Sequence, residues 1–206
     1  STIIEDRTGQ LLCAAIAADG QWRFPLENDV PEKFAKAIVL FEDKRFHYHP
    51  GVDPLSMARA VTQNVRAGKV VSGGSTLTMQ VIRMARKNKA RTVLEKLIEI
   101  VLATRLEWRH SKEEILAIYA AHAPFGGNVV GLEAACWRYF GRQPNDLSWS
   151  EAAVLAVLPN NPSLIHLTRN RDVLLNKRNR LLQKIRDQGW IDELTLELSL
   201  AETLPE

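Results

Sequence analysis

Along most of the chain, apolar residues recur with the period of a helix. Phe34, Ala37, Ile38 and Phe41 fall at i, i+3, i+4 and i+7, the spacing of one buried stripe, behind Asp29 or Asn28 as a cap and Pro31 in the first turn. Asp53-Pro54 opens a second helix with Met57, Val61 and Val65 inside and Gly68 as its stop. Lys69–Gly74 reads as a loop, and Ser75 caps a helix running to about Arg86, followed by a polar basic stretch to Ala90. Leu94, Leu97, Ile98, Val101 and Leu102 predict a long buried helix from about Thr92 to Trp108. Ser111 with Glu114, and Ser148 with Glu151, have capping-box spacing. They open helices containing Ile115, Leu116 and Tyr119, and Val154, Leu155 and Leu158. Leu174, Leu175, Arg178, Leu181, Leu182 and Ile185 give a further helix stopped by Gly189, and a short one follows Asp192. Pro124–Asn128 reads as a glycine-rich loop, and Pro159–Ser163 ends a helix.

The first 25 residues have a different pattern. Thr2–Glu5 and Leu11–Ala17 are short strand candidates, and Asp19-Gly20 before Gln21–Phe24 is a hairpin signal, because Gly takes the positive φ of a tight turn. The expected fold class is therefore mainly α, with a small N-terminal β element. Strands fall within residues 1–25 and helices within 28–206.

Composition narrows the class. With 46% hydrophobic and 25% charged residues over 206 positions, the chain is an ordinary globular domain rather than a disordered or fibrous segment. Its longest apolar run, Leu11–Ala18, is far short of the roughly 20 residues that span a bilayer. The chain opens with Ser1 and shows no secretory leader, as expected of a processed product or an excised piece. A net charge of +3 is too small to point to nucleic acid. Cys13 and Cys136 make neither a disulfide framework nor a zinc set, and leave the redox compartment open.

Chemistry has four candidate locations. Glu42-Asp43 ends the first amphipathic helix, where the helix dipole disfavours anions. It is either a solvated helix end or a half-desolvated general base. His47 and His49 form a His-x-His with no fixed third ligand, a weak metal signal. Gly73-Gly74-Ser75-Thr76-Leu77-Thr78 puts small and hydroxyl residues at a helix start, a plain cap or a phosphate-receptive place. Arg83, Arg86, Lys87, Lys89, Arg91 and Lys96 are six cations against one acid, Glu95, a solvated face or a holder of phosphates. Glu95 itself is explained by the capping-box form of Thr92–Glu95, and Arg91 by a phosphate or an ion-pair partner.

The order of these segments carries more than any one of them. Glu42-Asp43-Lys44-Arg45-Phe46-His47-Tyr48-His49-Pro50-Gly51 resembles the Glu-Asp-x-x-Phe-x-x-His-x-Gly motif of the family 51 peptidoglycan glycosyltransferases. Gly74–Gln80 is similar to their Gly-Ser-Thr-x-Thr-x-Gln, and Arg91–Glu95 to their Arg-Lys-x-x-Glu. Ile115–Tyr119, Gly126, Gly131 and Tyr139-Phe140-Gly141 resemble the fourth motif. Glu151-Ala152-Ala153, Leu155 and Leu158-Pro159 through Pro162-Ser163 resemble the fifth. Ala123-Pro124-Phe125-Gly126-Gly127, the front strands and Trp22 are most similar to the penicillin-binding protein 1C branch.

The resemblance implies one glycosyltransferase domain over 1–206, a lysozyme-like bilobal helical fold, and a membrane-facing small lobe within 50–75. Leu55, Met57, Val61 and Val70-Val71 are candidates for that surface. It implies polymerisation of lipid II onto a growing glycan strand, with inversion at the anomeric carbon and release of undecaprenyl diphosphate. Glu42 would be the base and Glu95 the second essential carboxylate. Ser75, Thr76, Arg83 and Arg91 would hold the diphosphate, while Asp43, Phe46, His49 and Gln80 shape the substrate cleft. A divalent cation, Mg or Mn, is the one cofactor it allows, with no organic cofactor. The implied partners are lipid II, the glycan strand, the membrane surface and a C-terminal transpeptidase domain, with no nucleic acid. The implied place is the outer, periplasmic face of the bacterial cytoplasmic membrane, the anchor being absent from this chain. Thr92, Met84, Ala117 and Ala121 replace the family's Lys, Asn, Glu and Asn, and Arg83 replaces a Lys. Two other readings stand beside this one: a peptidoglycan-cleaving enzyme on the same scaffold, and a degenerate lipid II-binding or partner-binding module.

Overall fold

The structure is a computed structural model and describes residues 1–8, 11–24, 29–69, 73–87, 92–160 and 170–205. The chain forms two compact units, Ser1–Phe41 with Ala120–Glu206, and Glu42–Tyr119. Nine α-helices and five short strands lie among the described residues.

In the first unit, β1 (Thr2–Glu5) pairs antiparallel with β2 (Leu11–Ala15), Thr2 opposite Ala15. The hairpin expected at Asp19-Gly20 does not form. Gly20 does turn the chain with positive φ, but β3 (Trp22–Arg23) pairs in parallel with β5 (Val129–Val130). β5 in turn pairs antiparallel with β4 (Pro124–Gly126), so the segment expected as a glycine-rich loop supplies a strand. Local turn chemistry was right; the partner was set by residues a hundred positions away.

The helices follow their caps. α1 (Glu32–Glu42) buries Phe34, Ala37 and Ile38 completely, as its stripe predicts. α2 (Pro54–Ala67) starts at Asp53, whose carboxylate accepts from the Leu55 amide, and ends at Gly68 in the left-handed region. α3 (Leu77–Ala85), α4 (Val93–Glu107) and α5 (Lys112–His122) follow. α6 (Leu132–Phe140), which the apolar pattern did not reveal, precedes α7 (Trp149–Val157). The Ser148–Glu151 capping box at the start of α7 has both hydrogen bonds. α7 is apolar nearly all round and packs on α8 (Arg171–Asp187); α9 (Glu193–Ala201) starts at its Asp192 cap. Arg178, inside the apolar stripe of α8, is wholly buried. It donates to the Ser150 hydroxyl and to the carbonyls of Leu200 and Glu202, which is what makes a charge tolerable there.

The second unit corrects two burial expectations. On α2, Val61 and Val65 were expected inside but are 62% and 76% exposed. On α4, Leu94, Leu97 and Val101 were expected in the core but are 67%, 55% and 66% exposed. α4 is apolar on opposite faces. The face with Ala103, Ile100 and Leu106 packs on Met79 and Ile82 of α3, and nothing among the described residues covers the other. Val70 and Val71, and Asn28 as a cap, lie outside the described residues.

Candidate functional site

The site is built on α3 and the segments that its N-terminus gathers. Gly74 must be glycine: a Cβ there would stand 2.6 Å from the Met57 Cα, so α2 and the approach to α3 touch backbone to backbone. Thr76 caps α3 by accepting from the Met79 amide at 3.1 Å, and its hydroxyl donates to the Gly51 carbonyl at 2.6 Å. The Asp43 carboxylate accepts the Leu77 amide at 3.0 Å, an anion at a helix N-terminus where the dipole favours it. His49 Nε2 stands 3.0 Å from both Asp43 oxygens. An ionised carboxylate only accepts, so that nitrogen carries the proton.

Asp43, His49 and Thr76 are buried and bonded to protein, and Phe46 is buried completely. They hold the loop after Glu42 against α3 from within. Glu42 itself is half-buried, and Gln80, in the first turn of α3, donates from Nε2 to Glu42 Oε2 at 2.7 Å. The Tyr119 hydroxyl is buried without a hydrogen-bond partner among the described residues. Burial, and secondarily the charge of Glu42, pushes that phenol well above its usual range.

Three residues on from Gln80, and so beside it on the helix surface, Arg83 enters a cavity of about 300 Å³. Ser75, Arg83, Thr92, Glu95, Lys96 and Glu99 are among its lining residues. Arg83 grips Glu99 through Nε and Nη2, both at 2.7 Å, and reaches the Ser75 hydroxyl at 3.3 Å. Lys96 Nζ donates to the same hydroxyl at 2.6 Å and lies 4.0 Å from Glu99. Hydrogen bonding to Glu99 raises the Arg83 pKa against the opposing effect of burial, so the guanidinium stays charged. Arg86 holds Glu95 through two hydrogen bonds of 3.0 Å. The capping box expected at Thr92 is half present: Thr92 accepts from the Glu95 amide, while the Glu95 carboxylate turns to Arg86.

Of the expected site residues, Glu42 and Gln80 meet directly; Asp43, His49 and Thr76 form one buried cluster beside Phe46; Ser75, Arg83 and Glu95 line the cavity. Glu42 is not among the residues lining the cavity, and α3 is what connects the two. Arg91 lies outside the described residues. Sequence reasoning counted Lys96 among the cations that could hold phosphates without matching it to a motif, and did not single out Glu99. A signal was present: Lys96-Leu97-Ile98-Glu99 supplies the Lys-x-x-Glu of the third motif, with Glu95 where Arg would stand. In that register the cation that Thr92 lacks is Lys96.

A divalent ion fits this donor set poorly. Both cavity carboxylates are already bound twice by a guanidinium, and the described residues contain no cluster of three or more metal-ligating side chains.

Comparison with known proteins agrees on a family. A transglycosylase family model matches residues 11–186. Penicillin-binding protein 1C of Escherichia coli is 44% identical over 87% of this chain and 24% of its own length. Penicillin-binding protein 1F of Bacillus subtilis is 37% identical over 80% of this chain and 23% of its own. The crystal structure of penicillin-binding protein 1A from Haemophilus influenzae superposes with a TM-score of 0.54 at 20% identity, over 97% of this chain and 20% of that one, which shows the fold. The chain spans about a quarter of the length of the relatives it matches.

Proposed function

The chain belongs to the transglycosylase family, and on that premise we propose that it polymerises lipid II into glycan strands. The observation that carries the reading is a division of labour along α3. Gln80 holds the Glu42 carboxylate, and one turn further Arg83 enters a cavity with Lys96 and Ser75. In the reaction, the Glu42 carboxylate takes the proton from the 4-hydroxyl of the acceptor sugar. The oxygen forms a bond to the donor's anomeric carbon as the bond from that carbon to the phosphate oxygen breaks, with inversion from α to β. Undecaprenyl diphosphate leaves with the electron pair. Arg83, Lys96 and the Ser75 hydroxyl stabilise its developing charge, being fixed before the charge appears. Glu99 orients those cations, being the carboxylate in contact with both Arg83 and Lys96, while Glu95 holds the neighbouring Arg86. No step runs through a metal.

A lipid substrate needs the enzyme at a membrane. No helix among the described residues is long and apolar enough to cross one. Val93, Leu94, Leu97 and Val101 on α4, with Leu55, Val61 and Val65 on α2, are exposed apolar side chains that fit contact with the outer face of the cytoplasmic membrane. A transpeptidase domain and an anchor are proposed for the longer protein, from its relatives' names and length. A peptidoglycan-cleaving enzyme has no use for a cation-lined cavity, and a degenerate module has no use for a held Glu42. The test is product analysis: lipid II incubated with the protein gives polymer and free undecaprenyl diphosphate, whereas release of sugar from preformed glycan in its place would overturn the reading.

A further inference from the structure

We propose that Lys112, the first residue of α5, is a positioning residue for the loop that carries Glu42. Its ammonium group meets three oxygens: the His49 carbonyl at 2.7 Å, and Glu107 Oε1 and Oε2 at 2.7 and 2.6 Å. Those three acceptors match its three N–H donors. The same nitrogen stands 4.5 Å above the ring of Phe46, which is buried completely. Glu107, at the end of α4, is also fixed by the Thr78 hydroxyl of α3 at 2.5 Å. Lys112 therefore ties the loop of residues 43–51, through His49 and Phe46, to the ends of α4 and α5 and to α3.

What this does for the reaction follows from the loop's other end. His49 bonds Asp43, Asp43 bonds the Leu77 amide, and Glu42 immediately precedes Asp43. Gly51 closes the loop against α4 so tightly that a Cβ there would lie 2.6 Å from the Ala103 carbonyl oxygen. Glu42 thus stands at the entry of a loop anchored at both ends and between them, and Lys112 is the anchor between. A base misplaced by about 1 Å loses rate rather than substrate affinity. The inference rests on the reading of Glu42 as the base.

The experiment follows lipid II polymerisation and thermal unfolding in native protein, Glu42→Gln, Lys112→Met, and Lys112→Met combined with Glu107→Gln. Lys112→Met strands the Glu107 carboxylate without its partner and lowers Tm. The double variant removes the stranded charge, and its Gln carbonyl still accepts from Thr78, so most of the lost Tm returns. The proposal expects kcat of the double variant to stay down about tenfold or more, with KM within about twofold, because the loop still lacks its anchor. If Lys112→Met does not fold, the double variant alone decides. Recovery of kcat together with Tm, or native kcat in Lys112→Met, would overturn the proposal. Native protein that forms no polymer, or Glu42→Gln that works as well as native, overturns the reading of Glu42 and this inference with it.

Discussion

Gln80 and Glu42, 38 positions apart in sequence, meet through a 2.7 Å hydrogen bond in which the side-chain amide donates to the carboxylate. The bond fixes the direction in which Glu42 presents its lone pairs. A hydrogen bond to a charged group contributes about 1.5–3 kcal/mol. Gln80→Ala is expected to lower kcat about tenfold or more. Gln80→Glu replaces the amide donor by a second carboxylate, so it is expected to lower kcat at least as far as Gln80→Ala. Steady-state rates of the three proteins check both; native kcat in either variant contradicts a role for the contact.

Arg83 and Glu99 form a nearly buried, doubly hydrogen-bonded pair. Arg83→Met strips Glu99 of its two guanidinium hydrogen bonds and leaves only Lys96, 4.0 Å away, opposite it, so the expected loss in stability is at most about 3 kcal/mol, the low end for a broken buried pair. Arg83→Lys keeps the charge but not the planar fork, so it falls between native and Met. Denaturant unfolding of the three proteins gives the order, and equal stability of native and Met variants contradicts it.

Much of this fold was readable because caps are local. Ser148 and Glu151, Ser111 and Glu114, Asp53 with Gly68, and Asp192 all sit where their spacing put them. What failed was non-local. The strand partner of Trp22 lies beyond residue 120, and no short-range turn signal specifies it. Leu94, Leu97 and Val101 show why periodicity overstates burial: it marks a face that avoids water without saying whether protein covers it. In the site, the motifs brought Glu42, Gln80 and Arg83 forward as candidates, and the fold puts Gln80 on Glu42 and Arg83 in the cavity. Glu99 did not come forward, because two overlapping registers of the third motif compete in sequence and its contact with Arg83 is visible only in the fold.

That exposed face gives a prediction of its own. Replacing Leu94, Leu97 and Val101 together by Ser removes apolar surface that the fold does not bury, so Tm is expected to change by only a few degrees. The vesicle-binding constant read by sedimentation with anionic phospholipid vesicles is expected to fall by more than about a hundredfold, since each of the three apolar side chains contributes about 1.5–3 kcal/mol when taken fully from water and about 1.4 kcal/mol is tenfold. Unchanged vesicle binding contradicts a membrane role for α4.

Asp53 supplies a pH-dependent contribution. Burial alone would raise its pKa, but hydrogen bonds from Ser56 and the Leu55 amide, with the nearby charge of Arg45, hold it below the usual value. A depressed folded pKa means that the stabilisation is present above the unfolded value, about 4, and is lost as pH falls through the folded one. Asp53→Ala is therefore expected to lose about 1 kcal/mol at pH 7 and less as the pH drops below 4. Parallel stability curves of the two proteins from pH 7 to 2 contradict this.

The most direct measurement compares native protein and Glu42→Gln with labelled lipid II, following polymer formation and lipid II binding in the same samples. The account predicts polymer from native protein, none above background from Glu42→Gln, and binding within about twofold in both, because the exchange removes a proton acceptor and little else. Polymer formed by Glu42→Gln at the native rate would contradict it.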